Sequence, residues 1–348
     1  MKWPRNAWYM AGWASEVGAE GLARRIIDKP IYLFRKQDGS VAALLDRCPH
    51  RFAPLSRGTR DGDVVVCGYH GLAFSAEGRC VRNPFGPRIP PGSDIPHFAT
   101  VERDGIVWLW GGDAAQADPT TIPDFAFLVD TPASRTVRGY TLMHANYAYG
   151  TDNLLDLSHI EFVHKGTFAG QGVIFAGQHA IRMEGETLHS NWWMPDIPPP
   201  SVAQGAYPPE ARVDHWLDMR WNAPASMRLH VGVTPHGAPR EAGFEVPQAH
   251  ILTPADEHTT HYFWSSTRTN DLDNPAVDAM LLQLFGEAFD GEDKPMIEAA
   301  YGNVRGKDFW QEKPLSLGID QGGTRARRML EAMLAREAAA DRTPAPAD

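Results

Sequence analysis

The amino-acid sequence predicts an α+β protein with a small N-terminal β domain and a larger C-terminal domain that combines strands with helices. In the first third of the chain, short apolar or β-branched runs are separated by Asp-Gly turns, a pattern typical of hairpins. These runs span residues 31–35, 41–46, 63–67 and 106–110. After residue 123, strand-like runs are mixed with segments whose apolar residues recur at helical spacing.

A segment rich in Gly, Ala, Asp, Pro and Thr separates the two regions and has the composition of a linker. We therefore predict an N-terminal domain of residues 1–112, a linker of residues 113–123 and a C-terminal domain of residues 124–338. Residues 339–348 are rich in Ala, Pro and Asp, and we expect a disordered tail there.

Three helices are predicted in the C-terminal domain, between strand-like runs at residues 228–234, 250–253 and 261–265. The first helix spans about residues 152–163 and the last about residues 324–337. The middle helix begins at Pro275, which suits a first helical turn, and Gly291 is expected to break it. One face of this middle helix is apolar and comprises Val277, Met280, Leu281, Leu284, Phe285 and Ala288.

The composition is that of a soluble globular protein, with 43% hydrophobic and 22% charged residues among 348. The chain has no run of apolar residues long enough to span a membrane and no signal-peptide pattern at its start. Of three cysteines, only Cys80 lies outside the motif described next, so we expect no disulfide framework and a cytoplasmic location. The net charge of −10 argues against nucleic acid or an anionic membrane as a partner.

The first metal-ligand motif joins Cys48 and His50 to Cys67 and His70 across two predicted loops. Two cysteines on one iron and two histidines on the other are the ligands of a Rieske [2Fe–2S] cluster. The alternative is a structural zinc site, which usually opens with two cysteines two to four residues apart. Here each half of the motif pairs one cysteine with one histidine, and this mixed spacing favours the Rieske cluster.

The second motif contains Asp152, Asn153, Asp156, His159 and His164. On one continuous helix the two aspartates and His159 share a face, whereas His164 lies about 140° around the helix from His159. Both histidines can bind one metal only if the helix ends or distorts near residue 162. Two histidines and a carboxylate form the ligand triad of a mononuclear non-heme iron site. The candidate carboxylates are Asp290, Glu292 and Asp293.

Both motifs together resemble those of the Rieske non-heme iron oxygenases, over nearly the whole chain. The second motif is similar to their pattern Asp/Glu-Asn-x-x-Asp-x-x-His-x4-His. Residues 69–72 also resemble that family, and residues 5–9, 48–56 and 250–254 resemble the branch that contains vanillate O-demethylase and dicamba monooxygenase.

The resemblance implies roles for several residues. Asp293 is implied as the third iron ligand, with Asp290 as the alternative. Asp156 is implied to bridge His70 of one subunit to His159 of its neighbour, in a homotrimer. Asn153 is implied to stand beside the iron without binding it.

The resemblance also implies an activity, that of the oxygenase component of a multicomponent monooxygenase. Its cofactors would be the [2Fe–2S] cluster and mononuclear Fe(II), with O2 as cosubstrate. Electrons from NAD(P)H would arrive through a ferredoxin or flavin reductase. The expected reaction is oxidative O-demethylation or methyl hydroxylation of a small aromatic compound, with an aromatic acid expected. The alternatives are ring hydroxylation by the same sites and, from another class, a Rieske electron-transfer protein without oxygenase activity.

The substrate pocket is expected between about Trp192 and Phe289. His250 is the first candidate for substrate binding, because its surroundings match the branch, although a core histidine is an equal alternative. Further polar candidates include Arg220 and Arg228. The other residues predicted to contact substrate are Asn222, His230, Leu229 and Leu284.

Overall fold

The computed structural model describes residues 1–168 and 172–342, which form two compact units. The N-terminal unit comprises Trp3–Ile122 and Thr253–Asp256. The C-terminal unit comprises Met1–Lys2, Pro123–Leu252 and the described residues from Glu257 onward. The division after Ile122 falls inside the segment predicted as a linker. Part of the predicted tail, residues 343–348, lies outside the described residues.

The N-terminal unit consists of short β-strands in three sheets. In sheet order these are β1-β11-β10, β2-β3-β4-β9 and β5-β6-β7-β8, and neighbouring strands are antiparallel. All four strand-like runs predicted in this region are confirmed within a few residues. The strands are β1 Trp8–Trp13, β2 Leu22–Ile26, β3 Lys29–Arg35, β4 Val41–Leu45, β5 Thr59–Asp61, β6 Val64–Val66, β7 Ala73–Phe74, β8 Cys80–Arg82, β9 His97–Phe98, β10 Thr100–Arg103 and β11 Ile106–Trp110.

Two apolar clusters stabilise the N-terminal unit. One lies among β1, β3 and β11 and contains fully buried residues such as Ala11, Leu33 and Leu109. The other contains the two motif cysteines together with Phe74 and Cys80. The cysteines are therefore held in an apolar core of their own, and Cys80 packs there as a small buried side chain.

The C-terminal unit is built on a seven-stranded sheet in the order β12-β18-β17-β16-β15-β14-β13. The three predicted strands lie inside β16, β17 and β18, which are longer than predicted. Adjacent strands from β13 to β17 pair antiparallel, as do β12 and β18. The strands are β12 Arg135–Met143, β13 Gln178–Glu184, β14 Thr187–Ile197, β15 Val213–Asn222, β16 Ser226–Pro235, β17 Phe244–Asp256 and β18 Thr259–Arg268.

The prediction of one helix over residues 152–163 is wrong in its bounds and its continuity. Helix α1 spans Tyr147–Leu155, and Asn146 caps it by accepting a hydrogen bond from the Ala148 N–H. The chain then leaves helical geometry at Asp156, whose φ and ψ are −116° and 84°. A 3-10 turn, Leu157–His159, and the short helix α2, Ile160–Val163, follow. The two aspartates and His159 therefore do not share one helical face.

Gly291 does not break the middle helix, contrary to the prediction. Helix α3, Pro275–Gly286, continues into a π-helical segment, Glu287–Asp293, and then into α4, Lys294–Val304. A π-helix takes up an additional residue without ending the helix, and such segments occur often at functional sites. The last helix, α5, spans Gln321–Ala340. Within the described ranges, no helix is long and apolar enough to cross a membrane.

A buried ion pair ties α5 to α1. The Arg327 guanidinium donates to both carboxylate oxygens of Asp152, at 2.5–3.1 Å. The same guanidinium lies 3.7 Å from the centre of the Phe309 ring. Asp152 directly precedes Asn153, so this pair fixes the end of α1 from which the second motif continues.

We expect Arg327→Ala to lower the free energy of unfolding by about 2–3 kcal/mol, because it leaves the Asp152 carboxylate without its partner. This is less than the roughly 3–5 kcal/mol for a fully buried pair, since the Asp152 side chain remains 30% exposed. Thermal unfolding followed by circular dichroism would measure the change. Arg328→Ala, an exposed arginine on the same helix, is the control and should change the melting temperature little. Equal effects of the two substitutions would contradict the assignment.

Candidate functional site: two metal centres and a cavity

The two cysteine loops of the N-terminal unit share one backbone pattern. The Cys48 N–H donates to the Ala53 carbonyl, and the Cys67 N–H donates to the Leu72 carbonyl, five residues ahead in each case. The residue four positions after each cysteine donates back to the cysteine carbonyl. These residues are Phe52 and Gly71, and both are left-handed, with φ of 60° and 74°. The loops are thus structural equivalents despite their different sequences.

Left-handed geometry is expected of Gly71 and unusual for Phe52. The exposed Phe52 ring lies 4.1 Å from the Arg47 guanidinium, a cation–π contact that favours this position of the ring. In both loops the left-handed residue turns the chain back after the histidine.

The four candidate ligands of the first motif have the arrangement that a [2Fe–2S] cluster requires. Cys48 and Cys67 are each 2% exposed, and their thiols are in hydrogen-bond contact. His50 and His70 lie further out, with ring centres 4.5 Å apart. Burial raises the pKa of the Cys48 thiol, while the N–H groups of His50 and Arg51 donate to its sulfur. An inner sulfur pair and an outer imidazole pair match the two differently ligated irons of a Rieske cluster.

A second cluster of ligand atoms lies in the C-terminal unit. His159, His164 and Asp293 each offer a donor atom, and these atoms lie within 4.8 Å of one another. The Nε2 atom of His159 is 3.4 Å from Asp293 Oδ1, and that of His164 is 3.2 Å from Asp293 Oδ2. Two imidazole nitrogens and a carboxylate facing one point fit a divalent iron with further coordination positions open.

The other ring nitrogen of each histidine is held by a hydrogen bond. His159 Nδ1 donates to the main-chain carbonyl of Asp156 at 2.5 Å. His164 Nδ1 donates to Glu292 Oε2 at 2.9 Å, and Glu292 also accepts from the Thr167 hydroxyl and the Gly166 N–H. These bonds fix the tautomer in which Nε2 carries the lone pair that a metal needs.

The ionisable groups of the triad shift one another's pKa values. Burial raises the pKa of Asp293, but the neighbouring imidazoles of His164 and His159 outweigh burial and hold this pKa below its usual value. Burial lowers the pKa of His159. Burial also opposes charge on His164, but Asp293 and Glu292 together raise its pKa. The buried carboxylate therefore remains ionised, as a ligand of a dication should be.

Local structure explains how residues near and far in the sequence meet here. The break at Asp156 starts a new turn, so that His159 and His164 direct their Nε2 atoms to one carboxylate although five residues separate them. The π-helical segment buries Asp293, which is 3% exposed, and leaves Asp290 exposed, with the Lys294 ammonium at 3.9 Å. The structure thus brings Asp293, and not Asp290, to the two histidines.

Asn153 and Asp156 make hydrogen bonds that bear on their implied roles. The Asn153 side-chain amide donates to Asp293 Oδ1 at 3.1 Å, so it orients the carboxylate directly. The Asp156 carboxylate does not bind His159 within the chain, because the main-chain carbonyl takes that position. Instead, its Oδ1 accepts from the N–H and the hydroxyl of Ser158, which caps the 3-10 turn.

A cavity of about 800 Å³ opens beside the triad within the C-terminal unit. His250, Leu229 and Leu284 line it, as predicted for substrate contacts. The predictions for Asn222 and His230 need correction, because neither residue is part of the lining. Asn222 donates to Thr187, and His230 bonds to Glu245.

The pleat of the sheet explains this correction. Successive side chains of a strand point to opposite faces. On β16, Leu229 and Val231 face the cavity, so Arg228 and His230 face away, and on β15 the lining residues are His215 and Leu217. Arg220 also lies outside the lining and donates to the Asp124 carbonyl.

The residues around His250 escaped the sequence analysis. The Tyr262 hydroxyl donates to His250 Nδ1 at 2.7 Å, and His250 Nε2 donates to Gln248 Oε1 at 3.2 Å. Burial lowers the pKa of His250 to about 4, so the imidazole is neutral near pH 7. Gln248 lies two residues before His250 on the same strand, and the period of two could have identified it. Tyr262 had no comparable signal, and Glu292 was a candidate only as an iron ligand, since its hydrogen bond to His164 depends on tertiary contacts.

Comparison with known proteins agrees with these two centres. Residues 7–98 match the Rieske [2Fe-2S] domain, and residues 143–336 match the vanillate O-demethylase oxygenase C-terminal domain. The dicamba O-demethylase oxygenase component of Stenotrophomonas maltophilia is 39% identical, over 97% of this chain and 100% of that protein. A crystal structure of dicamba monooxygenase bound to dicamba superimposes with a TM-score of 0.90 at 38% identity, covering 97% and 100% of the two chains. A second, with non-heme iron and dicamba, has a TM-score of 0.81 at 38% identity, covering 96% and 98%.

We expect Asp293→Ala to abolish binding of the mononuclear iron and to leave the visible spectrum of the cluster unchanged, because the two centres use separate ligands. Metal analysis together with absorption spectroscopy would measure both. Asp290→Ala, three residues earlier on the same helical segment, is the matched control and should retain the iron. The reverse result would show that Asp290 is the ligand.

Proposed function

This chain belongs to the Rieske oxygenase components of the vanillate O-demethylase family, and we propose that it removes or hydroxylates a methyl group of an aromatic compound. The observation that carries this proposal is the opening of a two-histidine, one-carboxylate triad into a mostly apolar cavity. An electron-transfer protein needs neither feature. In this proposal a separate reductase, or a reductase with a ferredoxin, supplies the electrons.

Each centre has a set of residues that suits its cofactor. Cys48, His50, Cys67 and His70 would hold the [2Fe–2S] cluster, which receives electrons one at a time. His159, His164 and Asp293 would hold Fe(II), with Asn153 and Glu292 fixing the orientation of two of these ligands. When bound, the iron supplies the activation of O2, and the protein supplies position and environment.

For a methyl ether, the reaction balances with one O2, two electrons and two protons. One oxygen atom is inserted into a methyl C–H bond, and the other leaves as water. The resulting hemiacetal breaks its bond between carbon and the ether oxygen, which gives a phenol and formaldehyde. The same insertion into an aryl methyl group stops at the benzylic alcohol.

The chain's own part in this reaction is to place the methyl carbon and to limit water. Leu229, Leu284 and Phe289 give the cavity walls beside the triad their apolar character. The hydrogen-bonded series Tyr262–His250–Gln248 provides polar groups with fixed directions in an otherwise apolar lining. Sparse, fixed polar groups in an apolar pocket orient a ligand without competing for it.

Product analysis tests the reaction. With a surrogate reductase and NADH, a panel of methoxybenzoates, methylated aromatic sulfonates, methoxyarenes and simple arenes would be followed for O2 uptake and formaldehyde. We expect formaldehyde in step with substrate-dependent O2 uptake for at least one methyl ether, and none with Asp293→Ala. O2 uptake that yields ring phenols or diols with every methyl group intact would instead support ring hydroxylation.

We further propose that the working form is a homotrimer in which electrons pass between neighbouring subunits. The Asp156 carboxylate supports this idea, because its hydrogen bonds to Ser158 use Oδ1 alone. Its Oδ2 can accept a hydrogen bond from His70 of a neighbouring subunit. The main-chain carbonyl of the same residue holds His159. Asp156 would then link the two centres through one residue.

We expect Asp156→Asn to bind both metals and to transfer electrons from cluster to mononuclear iron at least about tenfold more slowly, as for other groups that orient metal ligands. Single-turnover oxidation of the pre-reduced cluster, followed by stopped-flow absorption, measures this rate. An unchanged rate, or full turnover by a protein that is monomeric in analytical ultracentrifugation, would contradict the role.

A further inference from the structure

The cavity beside the triad has little positive charge to offer a substrate. Among its lining residues within the described ranges, Arg268 is the one arginine or lysine. The Arg268 guanidinium is 5% exposed and forms an ion pair with Asp278, and it also donates to the carbonyls of Asp271 and Asn274. Asp278 thus balances its charge, while the Arg268 Nε–H has no hydrogen-bond partner among the described residues. Residues 169–171, Ala-Gly-Gln, have no ionisable side chain.

Two carboxylates besides Asp293 also line the cavity. Glu161 accepts hydrogen bonds from the N–H groups of Gly172 and Ile174. Asp271 adds a second carboxylate at the end near Arg268. The two further histidines of the lining, His215 and His250, are engaged with the Gly232 carbonyl and with Tyr262 and Gln248. Away from the iron site, a substrate carboxylate would therefore lose its hydration without gaining a cationic partner.

The cavity is also long. One face of the continuous helix from α3 through the π-helical segment lines it from Val277 to Asp293. At 1.5 Å per residue this face extends for roughly 24 Å, and the triad lies at its end. The cavity volume of about 800 Å³ is in the upper part of the range of about 300–1,000 Å³ for sites of drug-sized ligands. The lining residues of this face are Val277, Met280, Leu281, Leu284, Phe285 and Phe289.

From these two properties we propose that the substrate is an uncharged, extended aromatic molecule of two rings or similar size, and not a single-ring aromatic acid. Its methyl-bearing ring occupies the end of the cavity at His159, His164 and Asp293, and the remainder lies along the apolar face of α3. This inference rests on the proposed function for the identity of the reacting end. It departs from the expectation of an aromatic acid, which rested on the resemblance to the branch and on arginine and histidine residues in the pocket region.

One polar group is placed to recognise an uncharged acceptor. Because Gln248 Oε1 accepts from His250, the Gln248 amide NH2 is left to donate to a bound molecule. Gln248 pairs across the strands with Leu229, which faces the same cavity. A carbonyl or ether oxygen between the two rings can accept this hydrogen bond without bringing a charge into the cavity.

The equilibrium binding of three ligands to the anaerobic holoenzyme separates the effect of ligand charge from the effect of ligand size. The ligands are 4-methoxybenzoate, 4-methoxybenzamide and N-phenyl-4-methoxybenzamide, whose affinities can be measured by calorimetry. The first two differ in charge at nearly equal size, and the last two differ by one ring at equal charge. We expect the benzamide to bind at least about tenfold more tightly than the benzoate, and the anilide about tenfold more tightly again. Equal or tighter binding of the benzoate, or no gain from the second ring, overturns the proposal.

A pair of adjacent leucines on α3 offers a matched test of position. Leu281 lines the cavity, whereas its neighbour Leu282 is outside the lining and 42% exposed. We expect Leu281→Trp to weaken the anilide about tenfold and to spare the benzamide, because the indole occupies the part of the cavity that the second ring needs. Leu282→Trp should change neither affinity. If Leu281→Trp does not fold, the three-ligand comparison on the unaltered protein still decides.

Turnover distinguishes this inference from the proposed reaction. Formaldehyde from the benzoate at a higher kcat/KM than from the anilide would support demethylation and refute the uncharged substrate. Tight anilide binding without formaldehyde from any methyl ether would support the substrate class and refute demethylation.

Discussion

The interruption of the helix at Asp156 is the constraint on which the mononuclear centre depends. A continuous helix would direct His159 and His164 to different sides, and no single carboxylate could then face both. Asp156 ends α1 with non-helical backbone angles, and its side chain caps the next turn through Ser158. Its carbonyl meanwhile fixes the ring of His159. One residue therefore stops a helix, starts a turn and orients a ligand, and these are consequences of a short acidic side chain that competes with helical hydrogen bonds.

The cluster loops solve a different problem, that of presenting four ligands from two segments with different sequences. The spacing from cysteine to histidine is two residues in one loop and three in the other. The backbone pattern nevertheless returns to the same left-handed residue four positions after each cysteine. The difference in cysteine-to-histidine spacing is thus accommodated between the cysteine and the left-handed residue, which has the same position in both loops. The sulfur atoms remain in an apolar core while the imidazoles stay outward, so the two irons of a cluster would meet unlike surroundings.

How much the sequence predicts depends on how local each feature is. The cluster ligands, His159 and His164 lie in short motifs, so spacing alone identifies them as candidates. Asp293 could be preferred to Asp290 only by resemblance, since the choice depends on the π-helical segment. Asn222 and His230 were misassigned because a sequence can reveal a strand without revealing which face of that strand lines the cavity. Arg327 and Tyr262 had no sequence signal, since their partners, Asp152 and His250, lie in other elements.

The alternation of side chains along β16 also bears on how substrate preference could change during evolution. Arg228 and His230 alternate along the strand with Leu229 and Val231. Their side chains therefore lie on the face of the sheet opposite to the cavity wall. Because the side-chain period of a strand is two, inserting or deleting one residue before this stretch would exchange the two sets. The wall formed by Leu229 and Val231 would then carry the side chains of Arg228 and His230 after a single genetic event, without a new side chain being invented. The reverse side of the same strand therefore already carries a guanidinium, the group with which an anionic substrate could pair.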